Sequence, residues 1–246
     1  MSHLQKIKLK YLLWFSLALT LFAFFLTWEY VHQNTTPIRI ASGGNWISLH
    51  PGLQHTVYAD MVLSNQFDAL IGVSDEGDVA PLGAKSWTVS ADFKTFEFEI
   101  DNSKKFSDGS ELTSYDYKRS WQEALLLSPK SNNNSLLDVL YKVVGFEDFE
   151  KSKNIVGLET TSKSKLIIHF KTPFRMAIDH LQGNRFSAFK QINSDTFIGT
   201  GCYMIKEVSS TQLELTPNSF NPECAELAPI SLRVVHPLDA AAELEA

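Results

Sequence analysis

The stretch from Pro81 to Leu112, PLGAKSWTVSADFKTFEFEIDNSKKFSDGSEL, indicates more of the fold than any other part of the sequence. Residues Thr95 to Ile100 alternate between apolar and polar side chains, a period of two that is typical of a half-buried strand. Ser86 to Ser90 contains apolar and β-branched residues, and the polar residues 91–94 separate the two segments. The stretch therefore predicts an antiparallel hairpin.

Two further signals follow the hairpin. Asp108 and Gly109 are residue types that tolerate the positive φ of a tight turn. Thr113, with Asp116 three residues later, resembles a capping box, and apolar residues follow it at helical spacing. We predict a second turn and then a helix over residues 114–126.

The order of residues in this stretch resembles a run found in the substrate-binding proteins of peptide-type ABC transporters, solute-binding family 5, which includes oligopeptide, dipeptide and nickel binders. The family's G-T-G-P-Y motif is matched at Gly199–Tyr203, with Cys202 in the place of proline. The stretch departs from the family at Gly83-Ala84 and at Phe93. It agrees with the family at Pro81, Leu82, Ser86, Trp87, Val89, Ser90, Asp92, Thr95, Phe98, Ile100, Lys105, Phe106, Asp108, Gly109, Leu112, Thr113 and Asp116.

The resemblance implies an α/β fold with mixed α+β elements: a type II periplasmic-binding-protein-like lobe that carries an inserted smaller α+β domain. In that fold the Trp87 and Phe98 segments lie side by side, and the strand at Val234 joins a sheet with Ile40. The expected division is residues 1–10 cytoplasmic basic tail, 11–28 transmembrane signal anchor, 29–37 tether, 38–72 first segment of the first lobe, 73–170 inserted domain and 171–246 second segment of the first lobe.

Members of the resembling family are about twice as long as this chain of 246 residues. The chain is therefore expected to correspond to the N-terminal half, without the second lobe. Pro237 to Ala246 is predicted to begin a helix after the last strand, which is half of a strand–helix–strand crossover. A prematurely ended reading frame, an excised piece and a split gene are all compatible with the sequence.

The N-terminal segment predicts export. Tyr11 to Trp28 is an apolar run of membrane-spanning length, and Lys6, Lys8 and Lys10 precede it, as in a helix whose N-terminus stays in the cytoplasm. A cleaved signal peptide is the alternative, and a buried core helix is a third reading. We expect an extracytoplasmic, periplasmic protein that an uncleaved helix anchors to the inner membrane.

The net charge and the number of cysteines limit the kinds of partner and the compartment that the chain can have. The whole chain has 22 basic and 28 acidic residues, and from Tyr30 onward 19 basic residues stand against 27 acidic ones, a net charge of −8. An acidic body argues against a nucleic-acid partner. The two cysteines, Cys202 and Cys224, could form one disulfide in an oxidising compartment or remain two buried thiols.

No pattern of residues indicates catalysis. Glu97, Glu99 and Asp101 alternate on one strand, which is better interpreted as the solvated face of the hairpin than as an acid/base pair. His50 and His55 lack nearby carboxylates in a metal-ligand pattern, so we expect no metal site and no cofactor. The sequence gives no reason to predict an enzyme.

The segment after the first predicted strand is the candidate ligand-binding site. In the resembling family it lies beside the ligand, and ligand binding there is largely to the peptide backbone. His50-Pro51 stands where that family usually has Asp-Pro. An ordinary turn at the two glycines and a core position for the tryptophan are the competing interpretations. The candidate residues are Ala41, Ser42, Gly43, Gly44, Asn45 and Trp46.

The leading hypothesis is therefore the extracytoplasmic substrate-binding component of an ABC importer for peptides or similar small solutes, or a fragment of one. Its expected partners are an oligopeptide or small-solute ligand, the permease subunits of the transporter and the membrane. The alternative is a membrane-anchored interaction module that keeps the fold and has lost ligand binding.

Overall fold

The hairpin predicted from the sequence is present in the computed structural model, which describes residues 14–24, 36–46, 48–53, 56–127, 135–193 and 196–236. Residues up to Ile38 and residues from Arg39 onward form two separate compact units. The elements, in chain order, are helix α1 (residues 14–24), β1 (Ile38–Ser42), α2 (Val57–Gln66), β2 (Ile71–Val73), β3 (Val79–Pro81), β4 (Ala84–Val89), β5 (Thr95–Ile100), α3 (Ser114–Leu127), α4 (Ser135–Leu140), a 3-10 turn (Phe146–Asp148), α5 (Phe149–Ser152), β6 (Leu158–Ser162), β7 (Lys165–His169), α6 (Ala177–His180), a second 3-10 turn (Asn184–Phe186), β8 (Lys190–Gln191), β9 (Phe197–Ile198), β10 (Tyr203–Val208), β11 (Gln212–Pro217) and β12 (Ile230–Val234).

The predicted membrane anchor is only partly described. Helix α1 lies within the predicted span 11–28, and residues 11–13 and 25–28 lie outside the described ranges. Within those ranges, no helix combines the length and the apolar character needed to cross a membrane.

Strands β4 and β5 form the predicted antiparallel hairpin, with Trp87 opposite Phe98, and belong to a four-stranded sheet of order β4-β5-β7-β6. One face of β5 is buried, as the alternation predicts. The other face is solvated and carries ion pairs, among them Lys165 with Glu97, and Lys85 with Glu99 at 3.5 Å between Nζ and Oε1. The interpretation of these glutamates as surface residues is confirmed.

Helix α3 covers the buried face of this sheet. The Asp116 carboxylate accepts hydrogen bonds from the backbone N–H and the hydroxyl of Thr113, at 3.0 and 2.6 Å, so the predicted cap is confirmed. Tyr117 and Trp121 are fully buried one turn apart on the inner side of the helix. Strand β6 begins at Leu158, and the backbone just before it packs against Val144, since the N–H of Gly157 donates to the Val144 carbonyl at 2.9 Å.

The second sheet has the order β1-β12-β11-β10, so the predicted pairing of the Ile40 strand with the Val234 strand is confirmed. The Val235 N–H donates to the Ser42 carbonyl at 3.0 Å, which places the last residues of β1 and β12 at the same edge of the sheet. The two strands therefore run parallel, whereas β12, β11 and β10 pair antiparallel. The predicted helix 237–246 lies outside the described residues.

Cys202 and Cys224 are joined by a disulfide with their Cα atoms 5.2 Å apart. Of the two alternatives that the sequence left open, the bridge is the one observed. It ties the loop after β11 to the glycine-rich turn that leads into β10.

Three distant parts of the chain meet at Asp68, just after α2. Its Oδ2 accepts a hydrogen bond from Lys104 Nζ at 2.8 Å and another from Thr200 Oγ1 at 3.1 Å. The backbone near Asp68 also forms a hydrogen bond to the segment that contains Thr200, since the Gly201 N–H donates to the Gln66 carbonyl at 3.0 Å. Because Asp68 is buried, its charge depends on these partners.

The Asp68–Lys104 pair is predicted to be a major contributor to stability. Lys104→Met leaves the buried Asp68 carboxylate without its cation, and Asp68→Ala leaves the half-buried Lys104 ammonium without its acceptor; each change should lower the free energy of unfolding by about 2–3 kcal/mol. In urea unfolding, the double variant should lose clearly less than the sum of the two single variants. Lys85→Met, which removes an exposed ion pair, is the matched control and should cost less than about 1 kcal/mol. Equal losses for Lys85→Met and Lys104→Met would contradict this assignment.

Candidate functional site

The candidate segment lies at the edge of the sheet where β1 and β12 both end. Ser42 is the last residue of β1, and its hydroxyl donates to the Gly44 carbonyl at 2.5 Å, which folds the backbone into a tight turn directly after the strand. Ala41 is half-buried within the strand. The backbone bends at Gly43-Gly44, and the edge of a sheet where strands end is also where ligands bind in many α/β folds.

The two glycines are shaped by Tyr58, which comes from the first turn of α2. A Cβ atom at Gly44 would lie 2.2 Å from the Tyr58 ring, so only glycine allows the ring and the backbone to approach this closely. Gly43 and Asn45 are exposed, and no hydrogen bond joins their backbone groups to any other described residue. The segment therefore presents unpaired main-chain donors and acceptors beside an aromatic ring.

Trp46 combines the two interpretations that the sequence left open. It is 7% exposed, and its indole N–H donates to the Ser209 carbonyl at 2.9 Å, so the ring is a core residue that ties this segment to the end of β10. The same ring lines a cleft of about 720 Å³. Of the six consecutive candidate residues, Gly43 and Asn45 are exposed, Ala41 and Gly44 are half-exposed, and Ser42 and Trp46 are buried.

His50 forms part of the wall of that cleft. It is 6% exposed, and its ring packs edge-on against Phe189 and Phe197, with centroid distances of 4.9 and 4.5 Å. Its Nδ1 accepts a hydrogen bond from the Gly52 N–H at 3.1 Å, so the neutral ring carries its proton on Nε2, which has no partner among the described residues. Burial lowers the pKa of His50 from 6.5 to about 4, and the ring is neutral at pH 7.

Sequence reasoning missed Tyr58, and it considered His50 as a metal ligand and as a departure from the family's Asp-Pro, but not as part of a cleft wall. Among the described residues, no three histidine, cysteine or acidic side chains come together as metal ligands. The departure of His50-Pro51 from the family pattern was a signal that this position is unusual. No local signal links Tyr58 to Gly44, because their contact depends on how α2 packs against the turn.

The site and the fold can now be compared with known proteins. Residues 78–246 match the family described as bacterial extracellular solute-binding proteins, family 5 Middle. The oligopeptide-binding protein OppA of Bacillus subtilis (strain 168) is 30% identical over 100 residues, which are 41% of this chain and 18% of that protein. The dipeptide-binding protein DppE of the same organism is 29% identical over 91 residues, 37% of this chain and 16% of that protein.

Two solved structures show the same fold over most of the chain. Haemophilus influenzae OppA in complex with RPPGFSPFR superposes with a TM-score of 0.73 at 19% identity, covering 86% of this chain and 44% of that one. The murein tripeptide-binding protein MppA of Escherichia coli gives a TM-score of 0.70 at 18% identity, covering 82% of this chain and 42% of that one. The chain therefore spans less than half the length of these two proteins.

The fold and the family match define a non-catalytic, ligand-binding class of extracytoplasmic protein. Within that class, this chain belongs to the bacterial extracellular solute-binding proteins of family 5.

The buried, neutral His50 predicts a specific pH dependence of stability. Because its pKa is about 4 in the folded chain and near 6.5 when unfolded, the unfolded state binds the proton first as the pH falls. The free energy of unfolding should decrease between pH 6.5 and 4, by up to about 3 kcal/mol from this group, and show no further loss from it below pH 4.

His50→Gln, which cannot become charged, should lose less stability than the wild type between pH 7 and pH 4.5 in urea unfolding. Exposed His180→Gln is the matched control and should keep the wild-type pH dependence. If His50→Gln also kept it, the ring would not be neutral in the folded state.

Proposed function

We propose that this protein is the extracytoplasmic substrate-binding component, or part of one, of an ABC importer for peptides, and that Ala41–Trp46 contacts the peptide backbone. The observation that carries the proposal is that Gly43 and Asn45 are exposed at the edge where β1 and β12 end, and that their backbone groups have no hydrogen-bond partner among the described residues. An extended peptide satisfies such groups through its own main chain, independently of its side chains. The OppA structure in complex with RPPGFSPFR is consistent with this ligand class.

The proposal divides the chain as the sequence predicted. Residues 38–72 and 171–246 are the two segments of the first lobe, and residues 73–170 are the insertion. The sheet orders support this division. β1 and β12 are neighbours in one sheet although the other strands lie between them in the sequence, and β4 to β7 form a sheet of their own. The permease subunits of the importer are the proposed protein partners.

Peptide binding is tested with the full chain and alanine peptides of three to five residues by isothermal titration. Gly44→Ala should weaken binding roughly fivefold or more, since relieving the clash with Tyr58 requires a shift of the binding backbone on the order of 1 kcal/mol. Gly183→Ala is the matched control, because the nearest atom to its added Cβ is 3.9 Å away. Binding of no peptide in the series would overturn the proposal and favour the interaction module.

We also propose that the apolar run Tyr11–Trp28 anchors the protein to the outer face of the cytoplasmic membrane. Its support is the run of eighteen residues with few polar interruptions after Lys6, Lys8 and Lys10, which is long enough for a bilayer core of about 30 Å.

After cell fractionation, the full chain should stay in the membrane pellet through an alkaline carbonate wash. A variant in which a cleavable signal peptide replaces residues 1–28 should appear in the soluble extracytoplasmic fraction. A full chain that is found there already, shortened at its N-terminus, would show that the run is a cleaved signal peptide.

A further inference from the structure

The disulfide is attached near the middle of an irregular loop between β11 and β12. This loop, residues 218–228, is named here the bridged loop. Its backbone forms three successive turns, each closed by a hydrogen bond between residues three apart. Among the described residues, the hydrogen bonds of residues 219–227 reach no further than Asn218. The loop therefore depends on its side chains and on the disulfide to stay in place.

The two ends of the bridged loop are fixed independently of the disulfide. Asn218 is fully buried, its N–H donates to the Cys202 carbonyl at 2.7 Å, and its side-chain amide donates to the Gly201 carbonyl at 3.0 Å. At the other end, the Tyr203 hydroxyl donates to the Ala228 carbonyl at 2.9 Å. The pairing of β10, β11 and β12 does not involve the loop. The residues between the two ends can thus be released while the sheet stays formed.

The middle of the bridged loop contacts the proposed inserted domain. The ring of Phe220 packs on the turn at Gly109, where an added Cβ atom would lie 2.8 Å from it. Residues 220–223 line a crevice of about 190 Å³, and Lys104 and Lys105, which follow β5, line the same crevice. The loop therefore connects the second segment of the first lobe with the insertion.

The position of the disulfide favours a role in this contact. Cys202 stands where the resembling family has proline, so in this chain a covalent bridge supplies a constraint at a turn that the ring of proline would otherwise restrict. Cys202 is half-exposed, whereas Cys224 is buried. A thiolate from outside the protein therefore reaches Cys202 first. The family is extracellular, and disulfides persist in such compartments.

We infer that the Cys202–Cys224 disulfide is a redox-sensitive clasp, which a dithiol reductant opens to release the bridged loop from the inserted domain while the rest of the fold stays intact. A thiolate of the reductant attacks Cys202 Sγ, the S–S bond breaks, and Cys224 leaves as a thiolate that takes up a proton. The second thiol of the reductant then displaces Cys202, which is protonated in turn. The dithiol loses two electrons and two protons, and the two cysteines gain them.

The test is limited proteolysis of the folded full chain by a glutamate-specific endoprotease, with and without dithiothreitol. After reduction, cleavage at Glu223 and Glu226 should become on the order of tenfold faster, because a loop without its clasp opens more often. Glu76, which is exposed in the turn between β2 and β3, is the internal control and should be cleaved at the same rate in both states. Alkylation followed by mass spectrometry counts the free thiols.

The double variant Cys202→Ser/Cys224→Ser should show the fast cleavage at Glu223 and Glu226 whether or not dithiothreitol is present. A wild-type chain that alkylates at both cysteines before any reductant is added would overturn the clasp, because the bridge would not form. A bridge that resists dithiothreitol in the folded chain would overturn it as well, since the disulfide would then be an inert structural link.

Two further results would contradict the inference. Reduction that leaves cleavage of the bridged loop unchanged would show that the loop stays in place without its clasp. Faster cleavage at Glu76 as well would show that the whole chain loosens and not the loop alone. Neither result concerns peptide binding, so the proposed function stands or falls by its own experiment.

Discussion

The fold depends on the buried charge of Asp68. A carboxylate at that depth is tolerated only because Lys104 neutralises it and Thr200 donates a second hydrogen bond, and each of these partners comes from a different part of the chain. The neighbouring backbone adds contacts that only glycine permits, since a Cβ at Gly199 would lie 2.3 Å from the Gln66 carbonyl oxygen. The end of α2, the segment after β5 and the glycine-rich turn before β10 are therefore fixed relative to one another at one point.

The geometry of the candidate site depends on the contacts around Asp68. The residues that line the cleft come from the segment after β1, from α3, from β8 and β9 and from the end of β10, and long stretches of sequence separate several of these parts. Helix α3 is held against the Asp68 region by Tyr117, whose hydroxyl donates to the Ala69 carbonyl at 3.4 Å. Strand β10 follows directly from the turn that contains Thr200. The binding surface can thus be a rigid feature although the segment after β1 is itself an irregular turn.

Sequence patterns predicted those parts of the fold that are determined by interactions between residues close together in the sequence. The alternation in Thr95–Ile100, the Thr113–Asp116 cap and the break at 91–94 each act within a few residues, and each is where it was predicted. The β2–β3 and β8–β9 pairs were not predicted because strands of two or three residues have too short a pattern to detect. The site was predicted only in part: the segment Ala41–Trp46 followed from a family resemblance, whereas Tyr58, Leu126 and Val208 approach it through tertiary packing, which sequence spacing does not encode.

The proposed contact of the segment Ala41–Trp46 with a peptide backbone has a physical consequence for selectivity. Main-chain hydrogen bonds are the same for every peptide, so unpaired groups at Gly43 and Asn45 can supply affinity but cannot distinguish one sequence from another. Discrimination has to come from side-chain surfaces nearby. In the described part of the chain, the cleft that Trp46 lines is one such surface, and its lining combines apolar residues such as Leu126 and Val208 with polar ones such as Glu123 and Ser209. Because burial lowers the pKa of His50 to about 4, its ring adds no charge to the wall of this cleft at neutral pH.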